Sequence, residues 1–383
     1  MYKLYYILFM LLITDVSLAS VWNQKSQIPA VGRHRATGVA IDDKGYIGLG
    51  HMNGTGVNIV YQDWWEFDPA TNSWTQKMDF PVPNYGALSF AVENKVYIGG
   101  GTGLGSEFYC FNPLTNVWTQ IANALSTNAT DDTAFGIGNK GYIKDGNIFL
   151  EYDPSTDSWS NKANCPVLGW SITSFVIQDK GYVKSGLSIY EYKPSVNQWT
   201  ARANFPGLTE NGGPGFSVDD KGYIITGYSG GLSNVNSEMW EYNPAVNQWS
   251  QLDDFPGTSR RFSSAFAINN KGYIGTGTNG TNMNDFWEFN PALKGVGLDE
   301  SNAHEISVYP NPATDLMTFD MTSYSNKSNL KLIVYSVSGQ LILEQKIMSN
   351  KIQLFKSQLN NGFYIYTITS NQELLTKGKI IFK

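Results

Sequence analysis

The sequence has little charge, few cysteines and no apolar run long enough to span a membrane. Charged residues make up 16% of its 383 residues, compared with about 25% in a typical globular protein, which excludes a coiled coil and a disordered acidic chain. Two cysteines are too few for a disulfide framework. The remaining composition, with 14% aromatic residues and 38 glycines, favours β-sheet.

Basic and metal-binding residues are also scarce. The formal net charge is −6, so the chain lacks the basic face that nucleic-acid binding requires, and we expect no nucleic-acid partner. The histidines are His34, His51 and His304, too few and too scattered for a multi-histidine metal site. No glycine-rich loop leads into a predicted helix, as a phosphate-binding loop would. We therefore expect neither a metal ion nor another cofactor.

Residues 1–19 have the features of a secretory signal peptide. Lys3 precedes the apolar run Leu4–Ile13, and the small residues Ser17 and Ala19 precede a cleavage site after Ala19. The run is shorter than the roughly 18–20 residues needed to cross a bilayer, and no later segment supplies another. We expect an exported mature chain without a transmembrane segment.

Two short sequence units recur along residues 20–291 and determine the predicted architecture. The first reads Lys44-Gly45-Tyr46-Ile47, and its other copies begin at Lys95, Lys140, Lys180, Lys221 and Lys271. The second reads Trp65-Glu66-Phe67-Asp68-Pro69, and its other copies have at the Glu position Cys110, Glu151, Glu191, Glu241 and Glu288. Five equivalent glutamates indicate a structural role, because a catalytic residue is needed only once.

A tryptophan follows the second unit at a fixed distance in five copies, as Trp74, Trp118, Trp159, Trp199 and Trp249. The sixth copy has none, whereas Trp22 precedes the first Lys unit by the distance found in the other repeats. The N-terminal strand therefore completes the last repeat. Six repeats of four short strands predict an all-β fold, a six-bladed β-propeller closed by the N-terminal strand.

The repeats resemble the Kelch family, especially the secreted bacterial form related to the galactose oxidase central domain. The second glycine of the Kelch pair is present in every copy, as Gly50, Gly101, Gly146, Gly186, Gly227 and Gly277. The glycine before it survives only as Gly100, so the chain is a divergent member. The resemblance covers residues 20–291 and implies a propeller.

The oxidase activity of galactose oxidase is not implied by this resemblance. That enzyme family needs two histidine ligands and a tyrosine crosslinked to cysteine. Here Cys110 and Cys165 occupy repeat positions that elsewhere hold Glu and Phe, so Cys165 is expected to be a small core side chain. A disulfide between Cys110 and Cys165 is left open.

The repeats stop after Pro291, and a polar linker at residues 292–304 leads into a separate domain at residues 305–383. The segments Leu330–Tyr335, Leu341–Ile347 and Gly362–Thr369 alternate like half-buried strands, which predicts a small β-sandwich. A generic sandwich that binds a sugar or a protein is the alternative for this domain.

Residues 305–383 resemble the C-terminal sorting domain of the type IX secretion system. The resemblance rests on Tyr309-Pro310-Asn311-Pro312-Ala313, Val337-Ser338-Gly339-Gln340, Leu359-Asn360-Asn361-Gly362-Phe363-Tyr364 and the basic end Lys377–Lys383. It implies a Gram-negative cell, recognition by the outer-membrane secretion machinery, and a secreted or cell-surface location. Family members often lose this domain and become attached to surface lipopolysaccharide.

Loop lengths and arginines point to one face of the predicted propeller. The loops between second and third strands vary in length, being longest in the first, fifth and sixth repeats, while other connections are nearly constant. Binding residues gather on loops that a rigid scaffold holds. Four of the five arginines, Arg33, Arg35, Arg260 and Arg261, precede innermost strands of neighbouring repeats. We expect them to converge at the central channel and to bind an anion, unless acids such as Asp131, Asp132 or Glu210 pair with them.

Ten residues before each repeated Lys, the six copies supply a mixed ring of His34, Tyr85, Thr130, Trp170, Asn211 and Arg261. Aromatic and polar groups together suit a carbohydrate, whereas the alternative is a wet, unoccupied channel mouth. The sequence therefore predicts ligand-binding residues Arg33, His34, Arg35, Tyr85, Asp131, Trp170, Asn211, Arg260 and Arg261.

Three functions fit these residues. The favoured one is a secreted or surface propeller that binds a glycan, for example an acidic one, or a protein, without catalysis. The second is a sialic-acid epimerase, as some bacterial Kelch propellers are, with Glu210 as the base and Arg260 or Arg261 holding the substrate carboxylate. The third is a non-catalytic surface spacer.

Overall fold

The computed structural model describes residues 21–54, 56–126, 130–293, 306–322, 328–336, 341–370 and 373–383. The predicted signal peptide and most of the predicted linker lie outside these residues. Contacts divide the chain into two units, of which the larger is Trp22–Pro291.

Residues 22–291 form six four-stranded sheets in the described part of the chain, which we call blades 1 to 6. From the innermost to the outermost strand, the blades comprise Thr37–Ile41, Lys44–Gly48, Trp64–Asp68 and Ser73–Gln76 (blade 1); Leu88–Val92, Lys95–Gly99, Phe108–Asn112 and Val117–Gln120 (blade 2); Ala134–Ile137, Lys140–Asp145, Ile148–Asp153 and Ser158–Asn161 (blade 3); Thr173–Ile177, Lys180–Ser185, Ser188–Lys193 and Gln198–Ala201 (blade 4); Gly215–Val218, Lys221–Tyr228, Val235–Asn243 and Gln248–Leu252 (blade 5); Ser264–Ile268, Lys271–Gly275, Phe286–Phe289 and Trp22–Lys25 (blade 6).

The first and last repeats are joined in one sheet. Trp22–Lys25 pairs antiparallel with Phe286–Phe289, with Trp22 opposite Phe289. The innermost strands contact one another in cyclic order, and that of blade 6 contacts that of blade 1. The predicted closing strand is confirmed.

The glycine of each Lys-Gly-Tyr unit faces a phenylalanine ring of the preceding blade. A Cβ added at Gly45 would lie 2.2 Å from the ring of Phe266 in blade 6, and one at Gly141 would lie 2.0 Å from the ring of Phe90 in blade 2. Blade 2 has Val96 in place of this glycine, and blade 1 has Val39 in place of the facing phenylalanine. The repeated glycine therefore leaves room for an aromatic ring of the preceding blade.

The repeated tryptophans also join neighbouring blades. Each donates its indole N–H to a backbone carbonyl of the preceding blade at 2.8–3.0 Å, the pairs being Trp74–Ser26, Trp118–Met78, Trp159–Ala122, Trp199–Ala163 and Trp249–Ala203. The repeated glutamates stay within their blades. Each accepts a hydrogen bond from a tyrosine hydroxyl at 2.6–2.8 Å, the pairs being Tyr46–Glu66, Tyr142–Glu151, Tyr182–Glu191, Tyr223–Glu241 and Tyr273–Glu288.

The loops between second and third strands differ most among the blades, as the sequence predicts. Blade 1 inserts a two-stranded hairpin, His51–Gly54 with Val57–Val60. Blade 2 has the short helix Gly101–Leu104, and 3-10 turns occur at Pro194–Val196 and Pro291–Leu293. Blades 3 and 4 turn directly from Asp145 to Ile148 and from Ser185 to Ser188.

The C-terminal unit contains two antiparallel sheets. Three strands pair in the order Ser307–Tyr309, Leu316–Asp320, Lys351–Phe355, and four in the order Leu341–Lys346, Leu330–Ser336, Gly362–Ser370, Glu373–Phe382; a 3-10 turn spans Lys356–Gln358. Both sheets contribute to one buried cluster, in which the rings of Phe319 and Tyr366 lie 4.9 Å apart. This arrangement agrees with the predicted sandwich.

Neither cysteine forms a disulfide. Cys165 is buried against Phe149 and Val167, and burial raises the pKa of its thiol to about 11. Cys110 lies beside Tyr97 in a different core cluster. In the described residues, no helix has the length and apolar character needed to cross a bilayer.

Candidate functional site

One end of the central channel is narrowed by a ring of six backbone hydrogen bonds. One residue from each blade connection takes part, and we call the set the mouth ring: Arg35, Gly86, Asp131, Ser171, Gly212 and Phe262. The N–H of each residue donates to the carbonyl of the ring residue in the preceding blade, at 2.6–3.2 Å. All six have φ between 52° and 67°, the left-handed region in which Arg, Asp, Ser and Phe are uncommon.

A cavity of about 230 Å³ adjoins the mouth ring and extends along the starts of the innermost strands. Its walls are mainly small side chains, among them Gly38, Ser89, Ala134, Ser174 and Ala265. The larger side chains gather at the ring itself. The side chains of this cavity that are large enough to select a ligand therefore lie at the channel mouth.

Aromatic rings form a continuous arc across the mouth. His51 stacks on Tyr85 with centroids 3.8 Å apart, and His34 lies 4.2 Å from His51 and 5.9 Å from Phe262. Beyond Phe262 the arc continues to Tyr228 at 5.8 Å and to Trp170 at 6.4 Å. Four of the six rings are buried, those of His34, His51, Tyr228 and Phe262, whereas Trp170 is 48% exposed and presents an open face of the kind on which sugar rings stack.

Two guanidinium groups share the ring of Phe262. The Arg35 guanidinium carbon lies 4.2 Å from the ring centroid and that of Arg261 lies 5.5 Å from it. Arg35 pairs with Asp131 across Gly86, with Nε and Oδ2 2.7 Å apart. Gly86 is required there, because an added Cβ would lie 2.6 Å from the Asp131 carboxylate.

Arg261 has no carboxylate partner among the described residues. Its Nη1 donates to the carbonyl of Leu232, in the long loop of blade 5, and its Nε is buried without a hydrogen-bond partner. Burial, together with the charge of Arg35, lowers the pKa of the Arg261 guanidinium. The mouth thus holds one cation that no carboxylate of the described residues neutralises.

Unpartnered polar atoms are concentrated at this place. Ten buried side-chain polar atoms lack an aligned hydrogen-bond partner in the described part of the chain, and five of them lie here. Arg35 Nε nevertheless faces Asp131 at 2.7 Å, and the Tyr228 hydroxyl faces Ser171, which leaves His51 Nε2 and Arg261 Nε without a partner. Buried polar groups are normally satisfied, and an unsatisfied one costs about 1–3 kcal/mol. Such a cluster is what a polar ligand would complete.

The two mouth histidines are oriented by asparagines. His34 Nδ1 lies 2.8 Å from Oδ1 of Asn282, and His51 Nδ1 lies 3.1 Å from Oδ1 of Asn58. Burial lowers the pKa of His34 to about 4 and also lowers that of His51. Both imidazoles are therefore neutral at pH 7, with Nδ1 as the donor. The described residues contain no group of three or more His, Cys, Asp or Glu that could hold a metal ion.

Arg33 and Arg260 do not converge at the mouth, contrary to the sequence prediction. Arg33 forms a two-fold contact with Asp63, and Arg260 forms one with Asp285 at 2.6 and 2.7 Å. Both arginines are buried and also donate to backbone carbonyls, including that of Leu49 and that of Thr276. A guanidinium cannot stay buried without a partner. Each arginine and its aspartate therefore form a structural ion pair, in blade 1 and in blade 6.

The remaining predicted residues occupy different parts of this face. His34, Tyr85 and Trp170 belong to the aromatic arc, whereas Asn211 Oδ1 accepts only a long contact of 3.5 Å from Ser185 Oγ. Glu210 is exposed, and its carboxylate accepts a hydrogen bond from the Gly230 N–H at 3.1 Å. It does not line the cavity at the mouth ring.

Sequence reasoning missed Phe262 and Tyr228, which organise the mouth. Phe262 stands nine residues before Lys271, the position that Arg35 and Asp131 fill in their repeats, so alignment at that spacing would have found it. Tyr228 extends the second strand of blade 5, and Gly212 leaves room for it, since an added Cβ would lie 2.7 Å from its ring.

Sequence reasoning also missed two buried lysines. Lys144 pairs with Asp132 at 2.9 Å, and burial raises the pKa of Asp132 to about 6. Lys184 donates to the carbonyls of Thr209 and Glu210 and lies 4.5 Å from the ring of Phe205. Burial lowers its pKa to about 7. Blades 3 and 4 thus bury a lysine, whereas blades 1 and 6 bury an arginine.

Comparison with known proteins agrees with this description. Residues 307–383 match the family described as secretion system C-terminal sorting domain. A 153-residue stretch is 31% identical to an F-box/kelch-repeat protein of Arabidopsis thaliana, covering 36% of this chain and 44% of that protein. Another of 158 residues is 27% identical to N-acetylneuraminate epimerase of Escherichia coli K12, covering 39% of this chain and 40% of the enzyme.

The chain spans less than half the length of these curated relatives. A solved structure titled "Structure of YjhT" superposes with a TM-score of 0.59 at 18% identity, covering 70% of this chain and 96% of that one. The protein is a β-propeller, and its repeats are similar to those of kelch-repeat proteins. More particularly, it is a β-propeller followed by a C-terminal sorting domain of the type IX secretion system, and this domain implies secretion.

Proposed function

We propose that the propeller binds an acidic carbohydrate at the channel mouth and does so without catalysis. The observation that carries this proposal is Arg261, a guanidinium without a carboxylate partner among the described residues, on an aromatic arc that ends in the exposed ring of Trp170. Guanidinium groups bind carboxylates and sulfates in a forked geometry, and aromatic rings bind the apolar faces of sugars.

We also propose where the protein works. The sorting domain implies secretion, and we infer that residues 305–383 engage the outer-membrane secretion machinery of a Gram-negative bacterium. The propeller at residues 20–291 is then presented outside the outer membrane or released. Mass spectrometry of the C-terminus of the exported protein tests whether the sorting domain is removed: a terminus near residues 292–304 supports removal, and an intact Lys383 opposes it.

An array of carboxylated, sulfated and neutral glycans tests the binding function on the full mature chain. We expect retention of carboxylated or sulfated glycans, and loss of that retention in Arg261→Ala. Arg202→Ala is the matched control, since Arg202 pairs with Glu191 in blade 4 and lies outside the mouth. The proposal would be contradicted if the wild type, Arg261→Ala and Arg202→Ala retained acidic glycans equally, or if only neutral glycans were retained. A protein ligand, or a spacer without a ligand, would then be favoured.

The second candidate is epimerisation of an acidic sugar, which the similarity to N-acetylneuraminate epimerase favours. Glu210 would be the base and Arg261 the carboxylate partner, because Arg260 is occupied by Asp285. NMR exchange spectroscopy of N-acetylneuraminate with and without the protein discriminates the two. Exchange that disappears in Glu210→Gln supports the enzyme, and unchanged exchange rates support binding alone.

A further inference from the structure

The Arg35–Asp131 pair is held less well than its distance suggests. Its one contact joins Nε to Oδ2 at 2.7 Å and helps to keep the Asp131 carboxylate charged, but the Nε–H is poorly aligned on the oxygen. By contrast, the guanidinium of Arg33 aligns two nitrogens on Asp63, and that of Arg260 does the same on Asp285. Two-fold, aligned contacts are the stronger form of this pair. Asp131 therefore neutralises the charge of Arg35 but leaves part of the hydrogen-bonding capacity of the Arg35 guanidinium unused.

Arg35 and Arg261 form a pair of neighbouring cations. Both lie against Phe262, and the charge of Arg35 is strong enough at Arg261 to lower the pKa of the latter. Two adjacent guanidinium groups are the arrangement that binds two anionic groups of one ligand. Asp131 occupies the place of one of those groups.

We propose that Asp131 is a built-in competitor that covers a second anion subsite at Arg35, so that its neutralisation converts the mouth from a site for one anionic group to a site for two. The ligand class of the uncovered site is a sugar carrying two carboxylates or a phosphorylated sugar. This inference rests on the proposed function and names the regulation of the same site.

The surroundings of Asp131 favour neutralisation of its carboxylate by protonation. Burial raises the pKa of Asp131, although Arg35 opposes the shift. Ser171 and Tyr228 face it without charge, and the Asp132–Lys144 pair adjoins it in the chain. His34 and His51, beside Arg35, gain charge in acid, and Asp132 loses charge. Acid alone therefore does not identify the responsible group, and a variant is needed.

Asp131→Asn is the suitable variant. Asn has nearly the shape of Asp, and it is among the residues that best tolerate the positive φ of 54° at this position. Asp43→Asn is the matched control, because it removes the same charge from the exposed turn after Thr37–Ile41, at the far end of the innermost strand. Arg35→Gln in the Asp131→Asn background removes the subsite itself.

Calorimetric titration of the full mature chain uses two probes, D-glucuronate with one carboxylate and galactarate with two. At pH 7.5 we expect Asp131→Asn to bind galactarate about tenfold more tightly than the wild type does, the factor for one charged hydrogen bond. The glucuronate affinity should change less. The gain should be absent in Asp43→Asn and in the Arg35→Gln double variant. Wild-type affinity for galactarate should rise as the pH falls, and more steeply than that of Asp131→Asn.

The outcomes separate this inference from the function on which it rests. Glucuronate binding that depends on Arg261, without a galactarate gain in Asp131→Asn, overturns the competitor and leaves the function standing. An equal gain in Asp43→Asn overturns it as well, because net charge then explains the effect. If neither probe binds any variant, the anion site at the mouth is itself wrong. If Asp131→Asn does not fold, Asp131→Ser replaces it with the same expectations and controls, since the mouth ring already holds a serine at the same positive φ at Ser171.

Discussion

The indole of Trp22 packs against the ring of Phe289, with centroids 5.0 Å apart. These residues lie near opposite ends of the propeller sequence, and their contact, together with that of Trp22 with Phe255 at 5.2 Å, joins the N-terminal strand to blade 6. Every other blade is built from one continuous stretch of chain. The stability of the propeller therefore depends on a strand that carries only four residues.

Replacing this tryptophan should open the ring. Trp22→Ala removes a buried aromatic side chain, and we expect a loss of about 3–5 kcal/mol in the free energy of unfolding. All 11 tryptophans lie within residues 22–287, so intrinsic fluorescence during urea unfolding reports on the propeller. Trp170→Ala is the control, since Trp170 is 48% exposed. Equal midpoints for both variants would show that the closing strand contributes little.

The repeat spacing made the propeller predictable, whereas the site was only partly predictable. The Trp-to-Lys distance identified the closing strand because blade geometry fixes strand length. The arginines were harder, since Arg260 and Arg261 are adjacent in sequence and yet one is buried beside Asp285 and the other lies at the mouth. Spacing does not reveal which way a connection turns its side chains. The acid three residues before the repeated Glu position, Asp63 or Asp285, was the available indication.

Breaking one of the structural arginine pairs should be costly, and removing both partners should cost less. Asp285→Asn leaves the Arg260 guanidinium buried without a counter-charge, and we expect a loss of about 3–5 kcal/mol. The double variant Arg260→Met with Asp285→Asn removes the stranded charge and keeps an acceptor for the Trp287 indole. Urea unfolding should show most of the loss recovered. A double variant as unstable as the single one would contradict this account.

Lys184 should make stability depend on pH in the alkaline range. Its pKa is lowered from 10.5 to about 7 in the folded protein, so between these values the unfolded chain binds more protons than the folded one. Stability therefore rises with pH across this window, with a slope of at most about 1.4 kcal/mol per pH unit. Below pH 7 both states are protonated, and the cost of burying the charge is present in full.

Unfolding at pH 6 and pH 9 checks this dependence. The wild type should gain stability relative to Lys184→Met as the pH rises, because methionine fills the same space without a charge. Lys193→Met, in the same blade and exposed, should follow the wild type at both values. A constant difference between wild type and Lys184→Met would mean that the lysine stays charged in the folded state throughout.

Tyr228 allows stability and binding to be separated at one atom. Its buried hydroxyl faces Ser171 without an aligned hydrogen bond, while its ring packs 5.8 Å from Phe262 and 6.3 Å from Trp170. Tyr228→Phe keeps the ring and removes the unsatisfied group, so thermal stability should stay the same or increase slightly. If the hydroxyl serves a ligand, the affinity for D-glucuronate should fall about fivefold, the factor for one neutral hydrogen bond. Calorimetry and thermal unfolding on the same preparations give both values. A variant that loses stability would place the hydroxyl in an internal hydrogen bond, and one that keeps full affinity would remove Tyr228 from the binding site.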